Sequence, residues 1–297
     1  MSIFTLPSFV LKKRQIDLGL RKMIHDQQDS LLKDACLYSF FSGGKRVRPM
    51  IVLMMRDALK CRYDILDAAL AIEIFHTSSL IADDLPCMDN DLLRRGVPST
   101  HAKFGETTAL LTSYGLVSLA FEKIHDCAQS IALFDPNLEI FAMNAAMLSI
   151  KIAAQSAGFR GATLGQSFDM TPVIQCEKDL DDLLYLKTVT LFEVSCLFGW
   201  IFGGGSLARL DQVKELALHF GMAYQIGDDL QDLDEDREKG KKSNFAILFG
   251  EERAEMRFNA HVIGFQKALK ELDLETAEFL AVVKFIKKFS KKKVSRS

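Results

Sequence analysis

The chain has 297 residues, 48% of them hydrophobic and 26% charged, with a formal net charge of −2 at neutral pH. This is an ordinary globular composition with ample material for a buried core, and a balance so near neutrality leaves no electrostatic footprint for nucleic acid. Six cysteines lie at least twenty residues apart with no Cys-x-x-Cys, which excludes a disulfide framework or zinc site and points to reduced thiols in a cytoplasmic setting.

In chain order, the N-terminal "MSIFTLPSFVLKKRQ" places its charges after a short apolar run, the reverse of a signal peptide. No apolar run reaches the length of a membrane span. Residues 64–85 contain neither Gly nor Pro, and Asp64 with Asp67 reads as an N-cap and acidic first turn. Asp179 and Asp182 open a second helix carrying Leu183, Leu184, Leu186 and Leu191. "FGGGS" at 202–206 punctuates it, and 206–232 follows as a helical stripe through Leu210, Val213, Leu216, Ala217, Phe220, Ala223 and Tyr224. Breaks are expected at 96–105, 132–137, 158–178 and 234–244, and period-2 strands are absent. The last stretch, "KKFSKKKVSRS", reads as a solvated basic tail over 287–297. The expectation is an all-α chain forming one domain over residues 1–297.

Two long apolar helices end in acid clusters. In "YQIGDDLQDLDED", Asp228 and Asp232 stand four apart on one helix face, flanked by Asp229. Like charges at that spacing, at the negative end of the helix dipole, destabilise a bare helix. A divalent cation reverses the repulsion, and oxygen-only ligands select magnesium. In "SLIADDLPCMDNDLLRRG", Pro86 disfavours helix at Leu85, so the chain leaves the helix there and Asp89 can swing back toward Asp83 and Asp84. Magnesium held by few carboxylates keeps positions open for phosphates, and phosphates need cations. "FSGGKRVRP" supplies Lys45, Arg46 and Arg48, but it is not a Walker A loop. Arg94 and Arg95 follow the first acid cluster, Lys187 and Thr188 lie within a helix, and "KGKKSN" follows the second cluster. Singly, each of these basic groups reads as a solvated face. Together they describe a site for two polyanions, one bridged by metal and one held by basic residues alone.

The motifs "GGKRVRP", "DDLPCMDNDLLRRG", "THAKFGE", "GQSFD", "KT" at 187–188 and "YQIGDDLQD", in this order over about residues 40–250, resemble the trans-isoprenyl diphosphate synthases (polyprenyl synthetases) of the short-chain farnesyl/geranylgeranyl type. The resemblance implies long helices ringed around a central cavity, usually in a homodimer. It implies that Asp83, Asp84 and Asp89, with Asp228, Asp229 and Asp232, hold Mg2+, or Mn2+ in its place, on an allylic diphosphate. Arg94, Lys187, Thr188, Gln225 and Lys242 would contact that diphosphate; Lys45, Arg48, His76 and Arg95 would hold isopentenyl diphosphate. Asp83, Asp84, Asp228 and Lys187 would carry catalysis. Head-to-tail condensation would then give farnesyl and/or geranylgeranyl diphosphate. Ser78 and Ser79, where farnesyl-forming relatives carry aromatics, imply a tunnel left open past fifteen carbons, with both hydroxyls satisfied on carbonyls one turn back. The chain departs from the family pattern at Ala82, Leu92 and Tyr114, and in a shortened loop after Asp232, where Lys239, Lys241 or Lys242 could replace the usual lysine. The alternatives are a class I terpene cyclase, against which the second Asp-Asp-x-x-Asp argues, and a non-catalytic subunit of a prenyl synthase.

Overall fold

A helix that is apolar on every side has to be buried on every side, and the chain is organised around one. The computed structural model describes residues 3–238, 240 and 243–289. In it α10 (Thr190–Phe202) buries all thirteen of its residues. It packs against α3 (Val47–Ala58), α4 (Leu66–Asp83), α7 (Glu139–Ala157) and α11 (Leu210–Gln231). Around these lie α1 (Pro7–His25), α2 (Leu31–Phe41), α6 (Glu106–Phe134), α14 (Glu251–Glu271) and α15 (Ala277–Ile286). Short helices α5 (Thr100–Phe104), α8 (Ala162–Met170), α9 (Glu177–Leu184), α12 (Leu233–Glu238) and α13 (Phe245–Phe249) fill connections. One cluster of buried apolar side chains runs from Phe9 to Phe289.

The helix that carries the first acid cluster, α4, begins at Leu66 with Ile65, not Asp64, at its N-cap. From one residue further out the Asp64 carboxylate still accepts the Leu66 N–H at 3.0 Å, and the helix ends at Asp83, ahead of Pro86. Asp179 is not itself the cap of α9. Its carboxylate accepts the N–H groups of Gln175 and Cys176 at 2.8 and 3.0 Å, a capping box seen from its third residue. The expected breaks at 96–105, 158–178 and 234–244 contain α5, α8 and α12, which are too short to show a full apolar stripe. Two-residue strands β1 (Leu93–Arg94) and β2 (Val97–Pro98) pair antiparallel, below the length at which alternation is readable.

Two helical stretches reach membrane-span length and apolarity, which corrects the expectation from uninterrupted runs. Glu177–Phe202 contains the wholly buried α10, and Pro136–Met170 is no single rod, since the chain turns between α7 and α8. Neither makes a membrane protein of this chain.

The loop into α3 is fixed by an arginine turned inward. Arg46, 4% exposed, donates to Asp17 of α1 at 2.9 Å and to Glu73 of α4 at 2.7 Å, and also to the Phe40 carbonyl. Glu73 is 3% exposed, so removing its partner leaves a buried charge uncompensated. Arg46→Met should therefore destabilise the fold by about 3–5 kcal/mol, read as a lower urea midpoint. Adding Glu73→Gln should recover part of the loss, and a single-variant loss below roughly 1 kcal/mol would mean that the triad does not hold the loop.

Candidate active site

Gly43 and Gly44 take φ of +114° and +120°, conformations closed to other residues, and carry the chain sharply into Lys45, Arg46 and Arg48. Two non-glycine residues are also left-handed here, Arg46 (φ 56°) and Arg95 (φ 57°). Arg95 and Gly96 form the two-residue turn between β1 and β2, both with positive φ, the type I′ geometry that favours Asn-Gly. An arginine held in that turn is strained, as functional residues often are. It donates to the Gly43 carbonyl at 2.7 Å, and both arginines line one cavity.

That cavity has a volume of about 310 Å³ and is walled by the Gly44–Arg48 loop, Glu73 and His76 of α4, Arg95, and Tyr224 of α11. Arg48 stacks 4.3 Å from the Phe192 ring and donates to His76 Nε2 at 3.3 Å. Arginine can only donate, so Nε2 accepts and the His76 proton sits on Nδ1. His76 Nδ1 and Arg48 Nε are buried without an acceptor. Burial is the main cause pulling Arg48 down from the usual arginine range, partly offset by Tyr224, Glu73 and Asp228. A cavity with several cations and unsatisfied N–H donors suits an anion rich in acceptor oxygens. Lys45, by contrast, is exposed, with its ammonium 5.9 Å from the Phe4 ring centre.

On the acid side, the Asp89 N–H bonds back to the Asp83 carbonyl at 2.9 Å, the swing expected from Pro86. Burial, then the neighbouring Asp89 and Asp84 charges, push the Asp83 carboxyl up to about 6 against the pull of Lys187 and Arg94. The two members of each adjacent aspartate pair part company. Asp84 is 2% exposed and ion-paired to Arg94, whose Nε lies 2.9 Å from it; Arg94 also reaches Asp91 at 3.3 Å. Asp229 is 1% exposed and accepts Gln225 Nε2 and the Phe245 N–H, both at 3.0 Å. These inward carboxylates hold Arg94 and α13 in place. Asp83 and Asp228, each one residue earlier, are only partly buried, and Asp89 and Asp232 are exposed. Among the described residues no three acidic, histidine or cysteine side chains are already gathered closely enough to enclose a metal.

Lys187 and Thr188 lie in a π-helical turn, Tyr185–Val189, between α9 and α10. Lys187 is ion-paired to Asp169 of α8, and Thr188 donates to Gln225 at 3.1 Å. The α8 backbone comes so close that a Cβ on Gly165 would stand 2.5 Å from the Lys187 nitrogen. Lys239, Lys241 and Lys242 lie outside the described residues, as do residues 290–297 of the basic tail. Residues without an assigned role also enter the site: Gln166, 3.4 Å from Asp89; Asp169; Glu73; Tyr224; and Asn244, which binds Asp236 at 2.8 Å. The GQSFD stretch and the Asn244 helix cap were the available signals for three of them. Ser79 bonds to the His76 carbonyl at 2.9 Å as expected, but Ser78 crosses to α6, where its hydroxyl meets the Ser113 carbonyl at 2.9 Å.

His76 is held well below the usual histidine range, first by burial and then by Arg48 and Arg95. The unfolded chain binds the extra proton below its ordinary pKa of about 6.5 and the folded chain does not. The stability linked to neutral His76 is therefore complete above that pH and lost as pH falls below it. NMR of the imidazole should find His76 neutral from about pH 5.5 to 8; an ordinary titration midpoint would mean that the ring is hydrated.

A family model described as polyprenyl synthetase matches residues 29–264. Geranylgeranyl pyrophosphate synthase 4 of Arabidopsis thaliana is 34% identical over 232 residues, covering 76% of this chain; the chain spans only 59% of that protein's length. The farnesyl diphosphate synthase of Geobacillus stearothermophilus is 32% identical over 290 residues, 93% of this chain and 94% of that one. The apo crystal structure of an FPP/GFPP synthase from Zymomonas mobilis superposes with a TM-score of 0.81 at 29% identity, covering 94% of this chain and 96% of the other. With a family match over most of its length and relatives of this similarity, the chain belongs to the polyprenyl synthetase family.

Proposed function

We propose that the chain is a prenyltransferase that joins isopentenyl diphosphate head-to-tail to an allylic diphosphate, giving farnesyl and/or geranylgeranyl diphosphate. The observation that carries this reading is the pairing of a cationic cavity, built on the half-buried Arg48 and His76 and the exposed Arg95, with two aspartate pairs in each of which one carboxylate is buried and the other only partly so. Isopentenyl diphosphate takes the cationic cavity, with Lys45 at its mouth. The allylic diphosphate lies against Lys187, Thr188 and Gln225, with Arg94 behind Asp84.

Asp83, Asp89, Asp228 and Asp232 form an all-oxygen donor set that fits Mg2+ or Mn2+; burial first, then the Asp89 and Asp84 charges, raise Asp83, and a cation would offset both. Asp84 and Asp229 support that set from behind. When bound, the metal neutralises charge on the allylic diphosphate. The costly event is charge building on the leaving oxygen as the allylic C–O bond breaks. Lys187 can turn from Asp169 toward that charge, and Thr188 and Gln225 fix the adjacent backbone, so stabilisation is already in place when the bond ionises. The isopentenyl double bond then attacks the allylic carbon and a proton leaves the new cation. Neutral His76 donates through Nδ1 and does not compete as a base, which leaves released pyrophosphate as the acceptor for the proton.

Leu111, Tyr114 and Val117 on α6 and Ile140, Met143 and Met147 on α7 are exposed apolar residues that a second copy in a homodimer would cover. Six unpaired cysteines accord with a cytoplasmic location.

Purified chain with labelled isopentenyl diphosphate and an allylic primer should make product in Mg2+ and none in EDTA. Asp83→Ala or Asp228→Ala should lower turnover by about a thousandfold or more without loss of fold. Near-normal turnover in both variants would end the metal assignment, and no product from the intact chain with Mg2+ would favour a non-catalytic subunit.

Product length depends on what closes the tunnel below Asp83. Phe75, eight residues and so about 12 Å down α4, meets Phe121 of α6 edge to face at 5.2 Å, a barrier that neither serine provides. Phe75→Ala should lengthen the product distribution and Ser78→Phe shorten it. An unchanged distribution in both would place the floor on other helices.

A further inference from the structure

The π turn that carries Lys187 and Thr188 is bridged by a hydrogen bond that no step above uses. Its first residue, Tyr185, donates its hydroxyl to Glu193 of α10 at 2.7 Å. A π turn inserts one residue into a helix and is intrinsically less favourable than the α-helix around it. Here the Thr190 N–H reaches back five residues to the Tyr185 carbonyl. The Thr190 hydroxyl, at 2.7 Å, takes up the Leu186 carbonyl. Beyond these backbone repairs, the Tyr185–Glu193 bond spans the turn from the α9 side to the α10 side. Glu193 is 8% exposed on a helix otherwise almost wholly apolar, a costly place for a carboxyl unless its geometry is used. Burial first, then Glu193, push the Tyr185 phenol up, which keeps it protonated and a donor.

We propose that Tyr185 and Glu193 are positioning residues whose hydrogen bond holds the π turn open, so that Lys187 and Thr188 project from the helix toward the allylic diphosphate rather than following the α-helical path. This rests on the reading of Lys187 as a diphosphate ligand. On one side the turn abuts Gly165 and Asp169 of α8; on the other Thr188 is tied to Gln225 of α11. The bridge across its ends is what fixes its width. Without it the segment can relax toward an α-helix, which rotates every later side chain by about 100° per residue shifted.

The test compares steady-state kinetics of Tyr185→Phe, Glu193→Gln and Glu193→Ala with geranyl diphosphate and isopentenyl diphosphate varied separately, alongside the melting temperature. Tyr185→Phe and Glu193→Ala should raise KM for geranyl diphosphate by roughly tenfold, the scale of one lost hydrogen bond, and leave KM for isopentenyl diphosphate within about twofold. Glu193→Gln, which keeps an acceptor for the phenol, should stay near the parent. In a Lys187→Ala background the Tyr185→Phe effect should shrink to the part carried by Thr188, and in a Lys187→Ala, Thr188→Val background it should vanish, because a positioning pair then has nothing left to position. Equal rises in both KM values, a lowered melting temperature with neither KM changed, or full additivity with Lys187→Ala would overturn the clamp. If Lys187→Ala alone leaves KM for geranyl diphosphate unchanged, the diphosphate-ligand reading falls and the clamp falls with it, a result distinct from failure of the clamp alone.

Discussion

Positive charge has to be kept inside this protein, and the molecule is built around how that is done. Arg46 answers two carboxylates and a carbonyl, and so ties the loop before α3 to α1, α2 and α4 at one point. Its neighbour two residues on, Arg48, has aromatic and imidazole partners but no carboxylate within hydrogen-bonding distance among the described residues. A half-buried cation with no carboxylate in direct contact, only the charges of Glu73 and Asp228 nearby, is costly for a fold to hold. The difference between the two arginines is therefore a division between structure and binding: the satisfied one fixes the wall, and the unsatisfied one faces the cavity.

The same division runs through the acids. Each adjacent aspartate pair sends its second member inward, Asp84 to Arg94 and Asp229 to Gln225 and the α13 backbone. Neighbouring positions on a helix point about 100° apart, so one pair can serve both packing and solution without a bend in the helix. Asp84 also sets where Arg94 can be, and Arg94 ends the strand whose following turn presents Arg95. The acid and cationic halves of the site are thus mechanically linked.

Much of this was legible in the residues. The helix α11 carries a periodic apolar stripe, α4 runs without Gly or Pro, and Pro86 marks its end. The acid clusters and the basic sets stand out because charges are dense there for no local reason. What stayed hidden was decided by geometry finer than residue type. Nothing distinguishes Asp83 from Asp84 in a sequence. The π turn lies within a continuous helical pattern, since one inserted residue shifts the stripe without interrupting it. Ser78 turns away from its own helix because Ser113 stands opposite, a fact of tertiary packing alone. The β ribbon is too short to alternate.

Arg95 occupies a left-handed turn position in which asparagine or glycine would rest more easily. Stability and charge are therefore opposed at a single codon. A lineage drifting under selection for folding alone would be expected to lose the arginine there first, and the fold would improve as it did so. Retention of Arg95 is thus a marker of use: among chains of this architecture, the residue in that turn should separate those still handling a second anion from those kept only as scaffolds.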